Sequence, residues 1–273
     1  LEGRAESTPY RTVVTFYPHP REFFTGQRRL LLTPTAEKAQ YLQTLGIQQL
    51  VLLPFDQVLA DLTPEAFVEQ ILVQALQARQ ISVGQDFCFG RDRSGTITDL
   101  QQIAAQYGVS VEVAPLYLEN GERISSSAIR HALSQGELVQ ANQLLGRSYT
   151  LVGEVRSGQQ LGRTIGFPTA NLQLPEDKFL PRYGVYSVWV SGTALEEQQL
   201  GVMNLGYRPT VAGQQLVAEV HLLDWLGDLY GHTLTVSLEH FLRPEQKFAS
   251  LDELKSQIQR DCEQARLLAA SMP

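Results

Sequence analysis

Apolar and polar residues follow two different rhythms along this chain. In the first half, short β-branched or aliphatic runs are separated by stretches of helical character. Thr12 to Phe16 (TVVTF), Gln49 to Leu53 (QLVLL), Ile81 to Val83 and Ser110 to Val113 read as strands. Between them, Thr35 to Leu45 has helical character ending at Gly46, and Leu100 to Tyr107 stops at Gly108. Thr63-Pro64-Glu65 opens a helix with a capping hydroxyl and Pro at the first position, predicted to run to about Gln77. Ser125 to Ser134 begins another. Strands alternating with helices predict an α/β domain, a parallel sheet with helices on its faces.

After Gly146 the rhythm shortens. Tyr149–Arg156, Gly184–Val190, Gln199–Leu205, Leu216–Leu223 and Thr233–Leu242 are β-rich segments punctuated by Gly and Pro, with no helical pattern among them. They predict an all-β antiparallel barrel or sandwich. The chain closes on a helix, where Ser250 and Glu253 form a capping box and Leu251, Leu254, Ile258, Ala265 and Leu268 mark an apolar stripe. The change of rhythm places the joint near Leu145 to Tyr149, giving domains 1–146 and 147–273. No internal repeat or low-complexity segment interrupts either.

Composition narrows the class. Hydrophobic residues make up 43% of the 273 and charged residues 19%, enough apolar surface for a core in each half. The net charge of −7 divides nearly evenly at Gly146, so neither half has the basic character expected of a nucleic-acid binder. A negative protein that binds anionic nucleotides has to concentrate cations and backbone N–H groups locally. Cys88 and Cys262 stand in no metal-ligand spacing and read as reduced thiols of a cytoplasmic protein. No apolar run reaches membrane-span length, and LEGRAESTPY lacks the basic start and apolar stretch of a signal peptide. No obligate protein partner is evident. The absence of an initiator Met, with a strand following almost at once, reads as an upstream part that is missing.

The segment Gly162-Arg163-Thr164-Ile165-Gly166-Phe167-Pro168-Thr169-Ala170-Asn171-Leu172 carries the most distinctive chemistry. In extended backbone Thr169 and Asn171 project to the same side. A hydroxyl and an amide carbonyl are neutral hard donors, suited to a Mg²⁺ ion whose charge is matched mainly by ATP phosphates. Gly162 and Gly166 allow backbone to approach a phosphate closely. Alone, Pro-Thr-Ala-Asn reads more readily as a turn with polar capping. Downstream, Ala218-Glu219-Val220-His221-Leu222-Leu223-Asp224-Trp225 places Glu219 and His221 on one strand face and Val220 and Leu222 on the other. A strand carboxylate can take the proton from an attacking hydroxyl, although a lone Glu more often faces solvent. Gly158 to Thr164 has a superficial likeness to a P-loop. It is one residue short between the glycines, has Arg for Lys, and runs into Gly-Phe-Pro, which cannot continue as a helix.

Taken in order, GRTIGFPTANL, the Gly184-Val185-Tyr186 start, VMNLGYRPTV, AEVHLLDW with DLYG, and FLRPEQKFASLDELKSQI resemble the riboflavin kinase family over essentially all of 147–273. The resemblance implies a six-stranded antiparallel β-barrel with a C-terminal helix that phosphorylates riboflavin to FMN with ATP and Mg²⁺. It implies that Thr169 and Asn171 hold Mg²⁺ and ATP, and that Glu219 is the general base on the terminal ribityl hydroxyl. Gly162 and Arg163 would lie in the loop over the nucleotide, and Arg243 in the flap over the flavin.

The first half resembles, through TFYPHPREFF, LPFDQVLADLTPEAFVEQIL, VGQDFCFGRDRSG and ISSSAIR, the adenylyltransferase module of bacterial FAD synthetases. That module has a Rossmann-like nucleotidyltransferase fold and joins FMN to AMP. Arg91 and Arg93, beside Gly90 and Gly95, make a small cationic loop suited to phosphates. Ser125, Ser126 and Ser127 stand where a helix begins and Arg130 one turn further, a grouping able to hold an anion. The resemblance makes Asp86, Arg91, Arg93, Ser126, Ser127 and Arg130 nucleotide-binding. Two departures stand out. No Gly-x-Phe-Asp-Gly-Val-His-x-Gly-His run occurs in the 273 residues, and Tyr17 stands where relatives often carry an acid. The expectation is an adenylyltransferase domain truncated at its front in a chain that retains the kinase step, from a bifunctional parent. Two other readings are a flavin carrier and a nucleotidyltransferase for another substrate. The carrier would need neither the Thr169–Asn171 pair nor Glu219, and the nucleotidyltransferase alone would leave both kinase segments without a role.

Overall fold

The structure is a computed structural model and describes residues 9–119, 122–158, 161–210 and 213–271. It divides into two compact units, one of 1–29 and 35–123, the other of 30–34 and 124–273.

In the first unit, β1 (Thr12–Tyr17) pairs in parallel with β2 (Gln49–Pro54), in register from Thr12↔Gln49 to Tyr17↔Pro54. A second parallel pair joins β3 (Gln80–Gly84) to β4 (Ser110–Ala114). Helices α1 (Pro20–Thr25), α2 (Thr35–Thr44) and α3 (Gln57–Ala60) accompany the first pair. The helix opened by Thr63 is not α-helical throughout. After the turn α4 (Pro64–Ala66), where the Thr63 hydroxyl accepts from the Ala66 N–H, Phe67–Ala75 is wound as a π-helix. The wider winding keeps Phe67, Val68, Ile71 and Leu72 together in the core with Phe89 and with Leu100, Ile103 and Ala104 of α5 (Ile97–Gln106). Helix α5 starts three residues before the expected Leu100 because Thr96 and Asp99 form a reciprocal cap. That capping hydroxyl holds the Asp99 carboxyl below its usual range. A short antiparallel pair, β5 (Leu118–Glu119) with β6 (Glu122–Arg123), ends the unit.

The second unit is a closed six-stranded barrel. Strands β7 (Tyr149–Arg156), β8 (Ala170–Gln173), β9 (Gly184–Gly192), β10 (Gln199–Thr210), β11 (Gly213–Leu222) and β12 (Thr233–Arg243) are ordered β10-β11-β8-β7-β12-β9, antiparallel at every pairing. Alternation assigns the two faces. Tyr186, Met203, Leu205, Val220, Leu234 and Val236 fill the interior, whereas Val185 and Val202 point outward to meet Cys262 and Ala265 of α9 (Leu251–Ala270). Gly184 has φ 152°, and a Cβ there would collide with the Arg243 carbonyl, so the close crossing of β9 and β12 requires glycine. Burial pushes the Cys262 thiol up to about 11, so it stays protonated and packs as a small apolar group.

Three features differ from the sequence reading. The compact units divide at Arg123/Ile124, ahead of the change of rhythm at Gly146. Helices α6 (Ser126–Gln135) and α7 (Leu138–Leu145) pack on the barrel through Ile129, Leu133 and Leu138, and the Asn142 side chain bonds both Leu238 O (2.9 Å) and Tyr149 N (2.8 Å). The strap 30–34 belongs there too, since Leu31 N–H donates to Asp177 O and Lys178 Nζ to Leu32 O. A short helix, α8 (Leu161–Thr164), interrupts the β-rich half. The terminal cap forms with Glu253 N–H on the Ser250 hydroxyl, but the Glu253 carboxylate reaches Ala249 N–H, and Leu251 is exposed rather than part of the buried stripe.

Candidate functional site

Register assembles the centre of the site. Glu219 on β11 stands directly opposite Asn171 on β8 and, on its other side, Asn204 on β10. Directly opposed residues share a sheet face, so the three polar side chains form one row on the outer surface of the barrel. Val220 and Leu222, on the other face of β11, are buried inside. His221 shares the outer face with Glu219. Its Nδ1 is 2.8 Å from the Pro168 carbonyl, which can only accept, so that nitrogen carries the proton. The Phe167 ring meets the imidazole edge-on at 5.4 Å. His221 thereby ties down the dipeptide that delivers Thr169.

A cavity of about 290 Å³ opens over this row, lined by Thr169, Asn204, Glu219 and His221 on the barrel side and by Leu254, Ile258 and Asp261 from α9. Gly162 forms part of its rim. A side chain at Gly162 would collide with the Phe167 carbonyl, whose residue's N–H already donates to Gly162 O at 2.8 Å. A second cavity, about 380 Å³, has apolar walls that include Val155, Leu222, Trp225 and Leu229. Thr169 lines both cavities. Asn171 lines neither but stands beside Glu219 in the row, with Gly158 packed so closely on its amide that no Cβ would fit. The side chain of Arg163 lies outside the described residues.

Arg243, at the end of β12, also lines the first cavity. It is not a free cation, because Asp261 grips it through Nε and Nη2 at 2.7–3.0 Å. Asn204 and Asp261 were not singled out in the sequence. Asn204 interrupts the apolar run Val202-Met203-Leu205, which was a usable signal. Asp261 has the look of any polar residue on an amphipathic helix.

The remaining candidates fall in different units. In the first, Asp86 is ion-paired with Arg123. Arg91 and Arg93 ride a tight turn closed by reciprocal Phe89–Gly95 bonds, with Asp92 and Arg93 both left-handed at φ 56° and 57°. In the second unit, the Ser125 hydroxyl caps α6 by accepting from Ala128 N–H, and Ser126 and Ser127 are its first residues. Arg130 donates to Ser126 O (3.2 Å) and Leu30 O (2.9 Å) and lies over the Phe179 ring. These bonds hold the strap as well as the helix start.

The chain matches the family model for riboflavin kinase over 145–269 and that for FAD synthetase over 2–128. It is 44% identical to the bifunctional riboflavin kinase/FMN adenylyltransferase of Escherichia coli K12, over 95% of this chain and 82% of the relative. The namesake enzymes of Pseudomonas fluorescens (42%; 94% and 82%) and Bacillus subtilis (34%; 93% and 80%) match similarly. A solved Streptococcus pneumoniae structure titled as a macrolide-efflux protein superposes with a TM-score of 0.83 at 32% identity, covering 93% of this chain and 83% of that one. Among the described residues no helix is long and apolar enough to cross a membrane, and the efflux title finds no counterpart in either family match. Sequence relatives and both domain matches agree, and the chain belongs to the family of bifunctional riboflavin kinase/FMN adenylyltransferases, enzymes that phosphorylate riboflavin to FMN and adenylylate FMN to FAD.

Proposed function

We propose that the kinase step takes place where the two cavities meet, with riboflavin in the first and ATP in the second. The shared Thr169 carries this reading, since phosphoryl transfer requires both substrates to reach one point in line. Glu219 accepts the proton of the terminal ribityl hydroxyl as that oxygen bonds to the γ-phosphorus and the bond to the ADP oxygen breaks. Asn204 and Asn171, flanking it in register, orient the carboxylate and the groups it meets.

Mg²⁺ fits the donor set. The Thr169 hydroxyl and the Asn171 amide carbonyl are neutral hard donors, so a cation held by them would be balanced by phosphate charge. Bound, it would offset charge on the transferred group. Gly162 and Arg163 belong in this reading to the nucleotide loop. Asp86, Arg91, Arg93, Ser126, Ser127 and Arg130 serve nucleotide binding for the adenylyl transfer, and the functional domains are 1–146 and 147–273. A cytoplasmic location suits its use of ATP and its two free thiols.

Incubation of the chain with riboflavin, ATP and Mg²⁺, followed by separation of the flavins, tests the reading. FMN is the expected product. FAD is the expected product of the adenylyl transfer that follows. Absence of FMN sinks the kinase assignment, and absence of FAD sinks the assignment of adenylyl transfer.

A further inference from the structure

The α9 wall of the first cavity carries a charged pair for which proton abstraction and metal binding have no use. Asp261 is 2% exposed. Its carboxylate accepts from Arg243 Nε at 2.9 and 3.0 Å, from Arg243 Nη2 at 2.7 Å and from Gln257 Nε2 at 2.8 Å. The Arg243 side chain is 17% exposed, donates through Nη1 to Pro244 O at 3.1 Å and lies 5.8 Å from the Phe248 ring centroid. Arg243, Asp261 and Phe248 all line the cavity. As a staple between β12 and α9 alone, such a pair is a poor choice. Desolvating both charges costs about as much as their attraction returns, and aliphatic side chains of similar volume fasten a helix equally well.

Two properties of the pair suit a ligand. The carboxylate cancels the guanidinium charge, so the pair itself presents no net charge to the uncharged riboflavin. The fork-on-fork grip also sets the direction of the guanidinium plane and leaves N–H groups on Nη1 and Nη2 to donate elsewhere. We propose that Asp261 is a positioning residue for the flavin, holding Arg243 from α9 in one orientation so that its remaining N–H groups donate to a flavin carbonyl. The proposal rests on the reading that riboflavin occupies this cavity.

The test compares Asp261→Asn with the apolar double substitution Arg243→Met/Asp261→Leu. It measures riboflavin affinity by quenching of flavin fluorescence, KM for each substrate, kcat and thermal unfolding. Asp261→Asn keeps shape but loses the charge and the two-point grip. Its riboflavin Kd and KM should rise about tenfold while KM for ATP and kcat stay within about twofold. The double substitution should restore the wild-type Tm, because no lone charge is left buried, yet keep riboflavin binding at least about tenfold weak. An unchanged riboflavin Kd in Asp261→Asn overturns the proposal, as does recovery of riboflavin affinity together with Tm in the double variant. If Asp261→Asn does not fold, the double variant decides alone. Binding is read without turnover, so wild-type protein that binds riboflavin but makes no FMN fails the kinase reading and leaves this one standing.

Discussion

The barrel unit and the α/β unit present their candidate chemistry in opposite ways. In the barrel, Asn204, Glu219 and Asn171 occupy consecutive strands at matched register, and the ladder that closes the barrel also aligns the row. Displacing any one of them requires breaking a β-pairing. In the α/β unit the cations sit on a turn, where Arg91 and Arg93 depend on two left-handed residues and a Phe89–Gly95 closure. Sites carried on strands hold their side chains more precisely than sites carried on turns. The kinase step can therefore be dissected by single substitutions that leave the fold alone, beginning with the largest expected effect.

Glu219→Gln removes the base and keeps the register, the volume and the row of amides. We expect kcat for FMN formation to fall by about 10²–10⁴, with riboflavin and ATP affinities within about threefold, since a base acts in the transition state. Steady-state kinetics alongside equilibrium binding checks this. Equal losses in kcat and in both affinities would assign Glu219 a role in packing instead.

How much of this was legible from the chain depended on the range of the interactions involved. Period-two alternation revealed five of the barrel strands, and it placed Glu219 and His221 on one face because a strand's pleat is local. Strand β8 is only four residues long and was hidden inside a motif with glycines and proline. Asn204 could not be paired with Glu219 until the register was known, and Asp261 could not be distinguished from a solvated helix position until Arg243 was seen against it. The π-winding of Phe67–Ala75 is likewise invisible to a pattern that assumes 3.6 residues per turn. The allegiance of α6 and α7 is a tertiary fact. Their apolar faces had to be buried somewhere, and the sequence did not say against what.

That allegiance gives the second prediction. Fragment 147–273 contains the row and both cavities but loses Ile129, Leu133 and Leu138, all buried against the barrel, and the Asn142 bridge to Tyr149 and Leu238. At about 1.5–3 kcal/mol per buried aliphatic side chain, the loss takes several kcal/mol from a domain whose total stability is on the order of 5–15 kcal/mol. Fragment 124–273 should unfold at least about 10 °C higher than 147–273, while kcat per folded molecule agrees within about twofold at low temperature. Equal unfolding temperatures would make the barrel self-sufficient, and the change of rhythm at Gly146 would then be the physical boundary as well.

The smallest effect concerns two positions that repeat the strand-versus-loop contrast inside one site. Asn171 is clamped in β8 opposite Glu219, whereas Thr169 ends the loop that His221 holds through Pro168. If both donate to one cation, Thr169→Ala and Asn171→Ala should each raise KM for ATP·Mg²⁺ about tenfold, or about 1.4 kcal/mol, and Thr169→Ser should stay near wild type because the hydroxyl is kept. The double substitution should cost less than the product of the two, with a coupling on the order of 1 kcal/mol, since a cation that has lost one protein ligand shifts toward phosphate and water and depends less on the other. Raising Mg²⁺ should offset the deficit in both single variants. Strict additivity across the cycle, with no response to Mg²⁺, would mean that the two residues touch different parts of the nucleotide. The Thr169 hydroxyl would then serve the meeting point of the two cavities by hydrogen bonding alone.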